Sequence, residues 1–213
     1  MGTPAVHPQW TSCAAEAPQA SVAGGVDALA LPRLGGGFAP AASIVCGQQV
    51  QRRADGGQDL VATESRAEDI AVLVAALRLR DEQPTDGACT ADLPIVPWFV
   101  LLDEQGGWVR RGVPKDSCGK VRVEVRDAVS GLRLTRVAAR VLNEIESARA
   151  AASGCSQGWA DMVAVETRQS SGARRAVGSA PFPAGTQVRL CVYRVPSSEQ
   201  GTVKPAGELG CAT

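Results

Sequence analysis

A single histidine, His7, stands in the whole chain of 213 residues, beside Pro8 in a stretch without periodicity. Ser-His and Cys-His catalysis and imidazole-based metal sites need that ring held against a nucleophile or other ligands, so these chemistries drop out. Net charge is missing as well. The 22 basic residues balance 22 acidic ones, which leaves no global field to gather nucleic acid or an anionic membrane. Lysine occurs only as Lys115, Lys120 and Lys204; the other basic residues are arginine, which with the abundant Ala, Gly and Val reads as GC-rich coding bias. No run approaches the roughly 20 apolar residues of a membrane-spanning helix. Met1-Gly2-Thr3-Pro4 has neither the basic nor the apolar region of a signal peptide. None of the seven cysteines forms a C-x-x-C pair, which argues against zinc.

What is present is cysteine at wide spacing. Cys13, Cys46, Cys89, Cys118, Cys155, Cys191 and Cys211 recur at intervals of about 30 to 40 residues over most of the chain, a scatter that favours disulfides. Local pairing joins Cys13 to Cys46, Cys89 to Cys118 and Cys155 to Cys191, leaving Cys211 unpaired; buried free thiols in a cytosolic protein are the alternative. An oxidised chain needs an export signal. The expected location is therefore extracellular or in the cell envelope, with a leader or anchor upstream of Met1.

The stretch from Cys89 to Lys120 organises the rest. Ile95 to Leu102 is rich in β-formers, Asp103 to Gly107 is a turn in which Gly106 and Gly107 can supply positive φ, and Trp108 to Val113 is a second strand. Cys89 before this hairpin and Cys118 after it make a staple worth about 3 to 4 kcal/mol in the chain-entropy account.

Residues 1–37 carry many Ala, Gly and Pro and are expected to form an irregular arm tied down by Trp10 and Cys13. Ala42 to Gln51 and Asp59 to Thr63 read as a second hairpin across a polar turn. Ser65 and Glu68 have the spacing of a capping box, followed by Ile70, Leu73, Val74 and Leu77 at helical spacing. Lys120 to Leu134 fits both periods and is read as helix. Ala138, Val141, Leu142 and Ile145 then line one face of a helix ending at Ser153-Gly154. After Cys155, Trp159 to Arg168 and Thr186 to Val195 read as strands. The predicted fold is α+β: two ββα-type units over 38–153 and a third, incomplete β unit over 154–213, with antiparallel sheets, helices packed on one face and disulfide staples.

The segments Arg52 to Glu64, Val96-Pro97-Trp98-Phe99, Cys118-Gly119-Lys120, Gly154 to Trp159 and Leu190 to Arg194 resemble uncharacterised exported proteins of actinobacteria. That resemblance covers most of the chain. It implies an envelope or extracellular location and a possible membrane anchor, and no assigned activity.

Chemistry-bearing motifs are weak. Ser117-Cys118-Gly119-Lys120 matches S-x-x-K, yet its companions S-D-N and K-T-G are absent and Cys118 is committed to a staple. Gly112 to Lys120 fails as a phosphate-binding loop, because Pro114 and Val121 stand at positions that loop needs for Gly and Ser or Thr. Glu64, Glu68, Asp69, Asp103 and Glu104 are the conspicuous carboxylates, each with a structural reading as cap or turn; Glu144 and Glu146 read as a solvated helix face. Trp98, Trp108 and Trp159 read mainly as core anchors. Trp108, flanked by Arg110 and Arg111, is the candidate interaction surface.

The expectation is a non-enzymatic interaction or structural module with an unknown protein or envelope partner, no cofactor and no metal. An inhibitor presenting the Asp103 to Gly107 loop is the alternative, and a Ser117-Lys120 hydrolase a third.

Overall fold

Period-2 alternation in two apolar strands dictates the architecture. The computed structural model describes residues 4–17, 25–33, 35–92 and 96–155, together with the backbone of 190–192 and 210–212. Strand β1 (Ala42–Arg52) runs through a turn at Gly56 (φ 90°) into β2 (Gln58–Ala67). Helix α2 (Ala71–Leu77) follows, with α1 (Cys13–Glu16) preceding it in the N-terminal arm. Strand β3 (Trp98–Leu102) turns into β4 (Trp108–Val109). Then come helix α3 (Val123–Ser130), strand β5 (Thr135–Glu146) and helix α4 (Ala148–Ser153).

The strands lie in the order β4-β3-β1-β2-β5. β1 pairs antiparallel with β3, from Ala42 opposite Leu102 to Cys46 opposite Trp98, and β3 pairs antiparallel with β4. The two hairpins thus share one sheet through β1 and β3, and do not build two separate sheets. The mixed α and antiparallel β class agrees with the sequence.

By contact density the chain divides into two compact units, residues 1–49 with 61–140 and residues 50–60 with 141–213. In the first, the faces of the sheet have different covers. Val45, Phe99, Leu101 and Val109 pack beneath Leu73 and Leu77 of α2 and Val125 and Val129 of α3. Ile44, Cys46, Trp98, Val100, Leu102 and Trp108 point the other way, against Ala17, Trp10 and Cys13 of the arm. Consequently all five residues of β3 are buried, as alternation requires of a strand covered on both faces.

The arm at 1–37 is more ordered than its composition suggests. His7 exchanges backbone hydrogen bonds with Trp108, Trp10 N–H donates to Gly106 O, and the 13–46 disulfide fastens α1 to β1. Residues 31–32 cross so close to Gly112 that a Cβ there would collide with Leu31 O.

Three other elements depart from expectation. Ser65 lies inside β2 and caps nothing; α2 begins at Ala71 after Ile70, without a side-chain cap. Residues 135–146, read as helix, form a twelve-residue strand. The helix that does end at Gly154 (φ 70°) is short, capped by the Ser147 hydroxyl, which accepts from Ala150 N–H.

In the second unit, β6 (Leu190–Val192) and β7 (Gly210–Ala212) pair antiparallel with Cys191 opposite Cys211. β6 falls within the strand expected from Thr186 to Val195. The strand expected over Trp159 to Arg168 lies outside the described residues.

Candidate functional site

Arg110 and Arg111 follow the buried Trp108-Val109 pair, and the chain reverses side at each residue. Both guanidinium groups are consumed inside the first unit. Arg110 donates from Nη1 to Phe99 O at 3.1 Å, pairs with Asp27, and lays its guanidinium 4.2 Å above the Trp98 ring. Arg111 is 1% exposed and donates from Nη2 to Leu77 O at 2.7 Å, at the C-terminal end of α2 where unpaired carbonyls favour a cation. Arg33 donates to Leu77 O and Leu79 O beside it. Burial, and then repulsion from Arg33 and Arg78, push Arg111 down to about 9, and its Nη1 has no hydrogen-bond partner.

Trp108 is 5% exposed. His7 stacks on it at 4.1 Å, Trp10 meets it edge-on at 5.3 Å, and its Nε1 donates to Gln9 O. The interaction surface expected at Trp108, Arg110 and Arg111 is therefore corrected: the arm covers the indole, and α2 and Trp98 absorb the charges. Sequence reasoning read two adjacent arginines as solvated because nothing local announces the helix end that receives Arg111.

Of the carboxylate candidates, Glu64 and Asp103 are likewise structural. Both oxygens of Glu64, on β2, accept hydrogen bonds from the arm: Trp10 Nε1–H at 2.9 Å and Cys13 N–H at 2.7 Å. Asp103 accepts from Gln105 N–H and Gly107 N–H and so builds the turn around Gly106 (φ 85°). Glu68 and Asp69 rim a shallow depression of about 430 Å³ with Arg78, Pro40 and Val74. Glu104 is exposed at the turn. In the second unit Glu144 Oε2 accepts from Arg53 Nη2 at 2.7 Å, and Glu146 Oε2 accepts from Gln58 Nε2 at 3.3 Å.

The Ser117-Lys120 pair is not arranged for acyl transfer. Lys120 Nζ donates at 2.7 Å to Thr90 O, Thr90 Oγ1 and Asp92 Oδ1, so these three hydrogen bonds all go to the 89–92 segment. Lys120 and then Thr90 lower Asp92 to about 2. Cys118 is bonded to Cys89. This cluster serves to fasten the 89–92 segment to the 115–121 loop, where Asp116 accepts from the N–H groups of Cys118 and Lys120.

Cysteine chemistry follows the spacing for the first two pairs: 13–46 and 89–118 are disulfides. Cys155 is also disulfide-bonded. The expected partner Cys191 and the expected free thiol Cys211 fall on β6 and β7, whose side chains lie outside the described residues. Among the described residues, no cluster of His, Cys, Asp and Glu is suited to hold a metal ion, and no helix is long and apolar enough to cross a membrane.

The feature that sequence reasoning missed is β5. Among the described residues it terminates the sheet, beyond β2. All seven residues from Thr135 to Val141 are exposed, with Val137 at 52% and Val141 at 57%. An edge strand this long presents a row of N–H and C=O groups that another strand can satisfy. The available signal was the alternation Val137, Ala139, Val141 and Ile145, which competed with a helical reading through Ala138, Val141, Leu142 and Ile145. No protein-family model, curated protein or solved structure matches this chain.

Proposed function

We propose that this chain is a non-enzymatic protein-binding module acting outside the cytoplasm, in the envelope of an actinobacterium, with β5 as its docking strand. The observation that carries the binding role is the length and exposure of β5 at the end of the sheet. Strand addition supplies affinity through main-chain hydrogen bonds and specificity through alternate side chains. The compartment reading draws support from the two disulfides, since such bonds persist in oxidising environments, and from the resemblance to exported proteins.

A photo-crosslinking residue placed at Val137 or Val141 in the exporting host tests this reading, with Val72 of α2, which is 72% exposed, as control. Adducts identified by mass should form from both β5 positions and not from Val72. Equal labelling from all three positions, or none from β5, removes the docking strand. Thiol alkylation of the same protein before reduction should leave the four cysteines of the two described disulfides unmodified. Their free alkylation contradicts export.

A further inference from the structure

The charges along β5 are segregated. Arg136 and Arg140 stand in its first half and Glu144 and Glu146 in its second, all on one face of the strand by alternation, while Val137, Val141 and Ile145 share the other. An antiparallel copy of such a strand brings its basic half against the acidic half of the first.

We propose that β5 docks on the β5 of a second copy of this chain, antiparallel, across a two-fold axis through Val141, joining two five-stranded sheets into one. This rests on the reading of β5 as a docking strand and names its occupant. Rotation about the sheet normal leaves each residue on its own face, so residue i must oppose a residue of the same parity, and only a few registers remain. Centring on Arg140 opposes two like charges. Centring on Leu142 leaves Arg136 opposite Ala148, beyond the strand. Centring on Val141 opposes Arg136 to Glu146 twice over, puts Arg140 diagonal to the other copy's Glu144, and pairs Val137 with Ile145 and Val141 with itself. This register covers the two exposed valines and uses the full charged length of the strand.

Both carboxylates already have a partner: Glu146 is half-buried and its Oε2 accepts from Gln58 Nε2. Glu144, bonded to Arg53, keeps a side chain 52% exposed, and a carboxylate accepts several donors. The interface is small, so association is weak, concentration-dependent and diminished by salt.

Complementary charge changes test the register. Arg136→Glu alone sets two acidic side chains against each other at both ends of the ladder, and Glu146→Arg alone sets two basic ones there; an equimolar mixture of the two variants restores the attraction at both ends. Sedimentation equilibrium should show self-association of the wild-type chain, a weakening by about tenfold or more in each variant alone, and recovery in the mixture. Val141→Pro should block the ladder at its centre, with retention of the two disulfides and of far-ultraviolet circular dichroism as the folding control. A wild-type chain that remains monomeric up to about 1 mM, or dimers indifferent to all three changes, overturns self-pairing. If the purified chain is monomeric while crosslinks from Val137 and Val141 reach a different protein, the docking strand stands and the second copy is wrong. If neither occurs, both readings fall.

Discussion

Two strands of one sheet, β3 and β5, show how little of a strand's fate lies in its own residues. β3 is buried at every position, between two helices on one face and the stapled arm on the other. β5 is more than twice as long, carries Val137 and Val141 on one face, and is exposed at nine of its twelve positions. Neighbours make the difference. The disulfides Cys13–Cys46 and Cys89–Cys118 fasten covers around the first region, while the outer side of β5 has no strand beside it among the described residues. The first region holds the fold, and the second is free to be used.

The contrast breaks most sharply on a core residue. Leu101 is fully buried, so Leu101→Ala should cost about 2 to 5 kcal/mol, whereas Val137→Ala should change stability by less than about 0.5 kcal/mol; chemical unfolding without reductant measures both. Comparable losses at the two positions would erase the distinction. Next in size, replacing Cys89 and Cys118 together by serine should remove about 3 kcal/mol, read as a lower thermal midpoint. Glu64→Gln should cost about 1 to 3 kcal/mol, because an amide presents one acceptor where the arm supplies two N–H donors. Its signature is faster proteolysis of the arm and altered tryptophan fluorescence.

The smallest effect is acid-dependent. Asp92 is held down to about 2 by Lys120 and Thr90, below its unfolded range near 4. A depressed carboxylate contributes stability above its unfolded pKa and loses it as pH falls through the folded value. Amide protection factors, corrected for intrinsic exchange, should therefore fall in the 89–92 and 115–121 segments between about pH 4 and pH 2, and Asp92→Asn should abolish that step.

The sheet's centre was legible in the sequence because alternation, β-formers and glycine turns agreed there. So was α2, whose Leu73 and Leu77 are buried along with Ile70 just before it, although its start was not. Ser65 and Glu68 have capping spacing, but β2 extends through Ala67 and claims Ser65 for a strand. β5 was misread for a simple reason. Residues four apart share a face in both a helix and a strand, so Val141 and Ile145 fit the helical face read with Ala138 and Leu142 as well as the strand face with Val137, and pairing with β2 decides between them. The burial of Arg111 was equally hidden, and so was the cover over Trp108, since these depend on a helix end and an arm distant in the chain. The two disulfides were visible as spacing, but what they fasten was not.

Amide hydrogen exchange of the wild-type chain at two protein concentrations tests the central claim most directly. At low concentration β3 should be strongly protected, and alternate amides of β5, those aimed away from β2, should exchange freely. On concentration those amides should gain protection in step with dimer formation while β3 is unchanged. If β5 is as protected as β3 in dilute solution, its edge is already closed and it is no docking strand. If its exchange is independent of concentration, the second copy does not bind there.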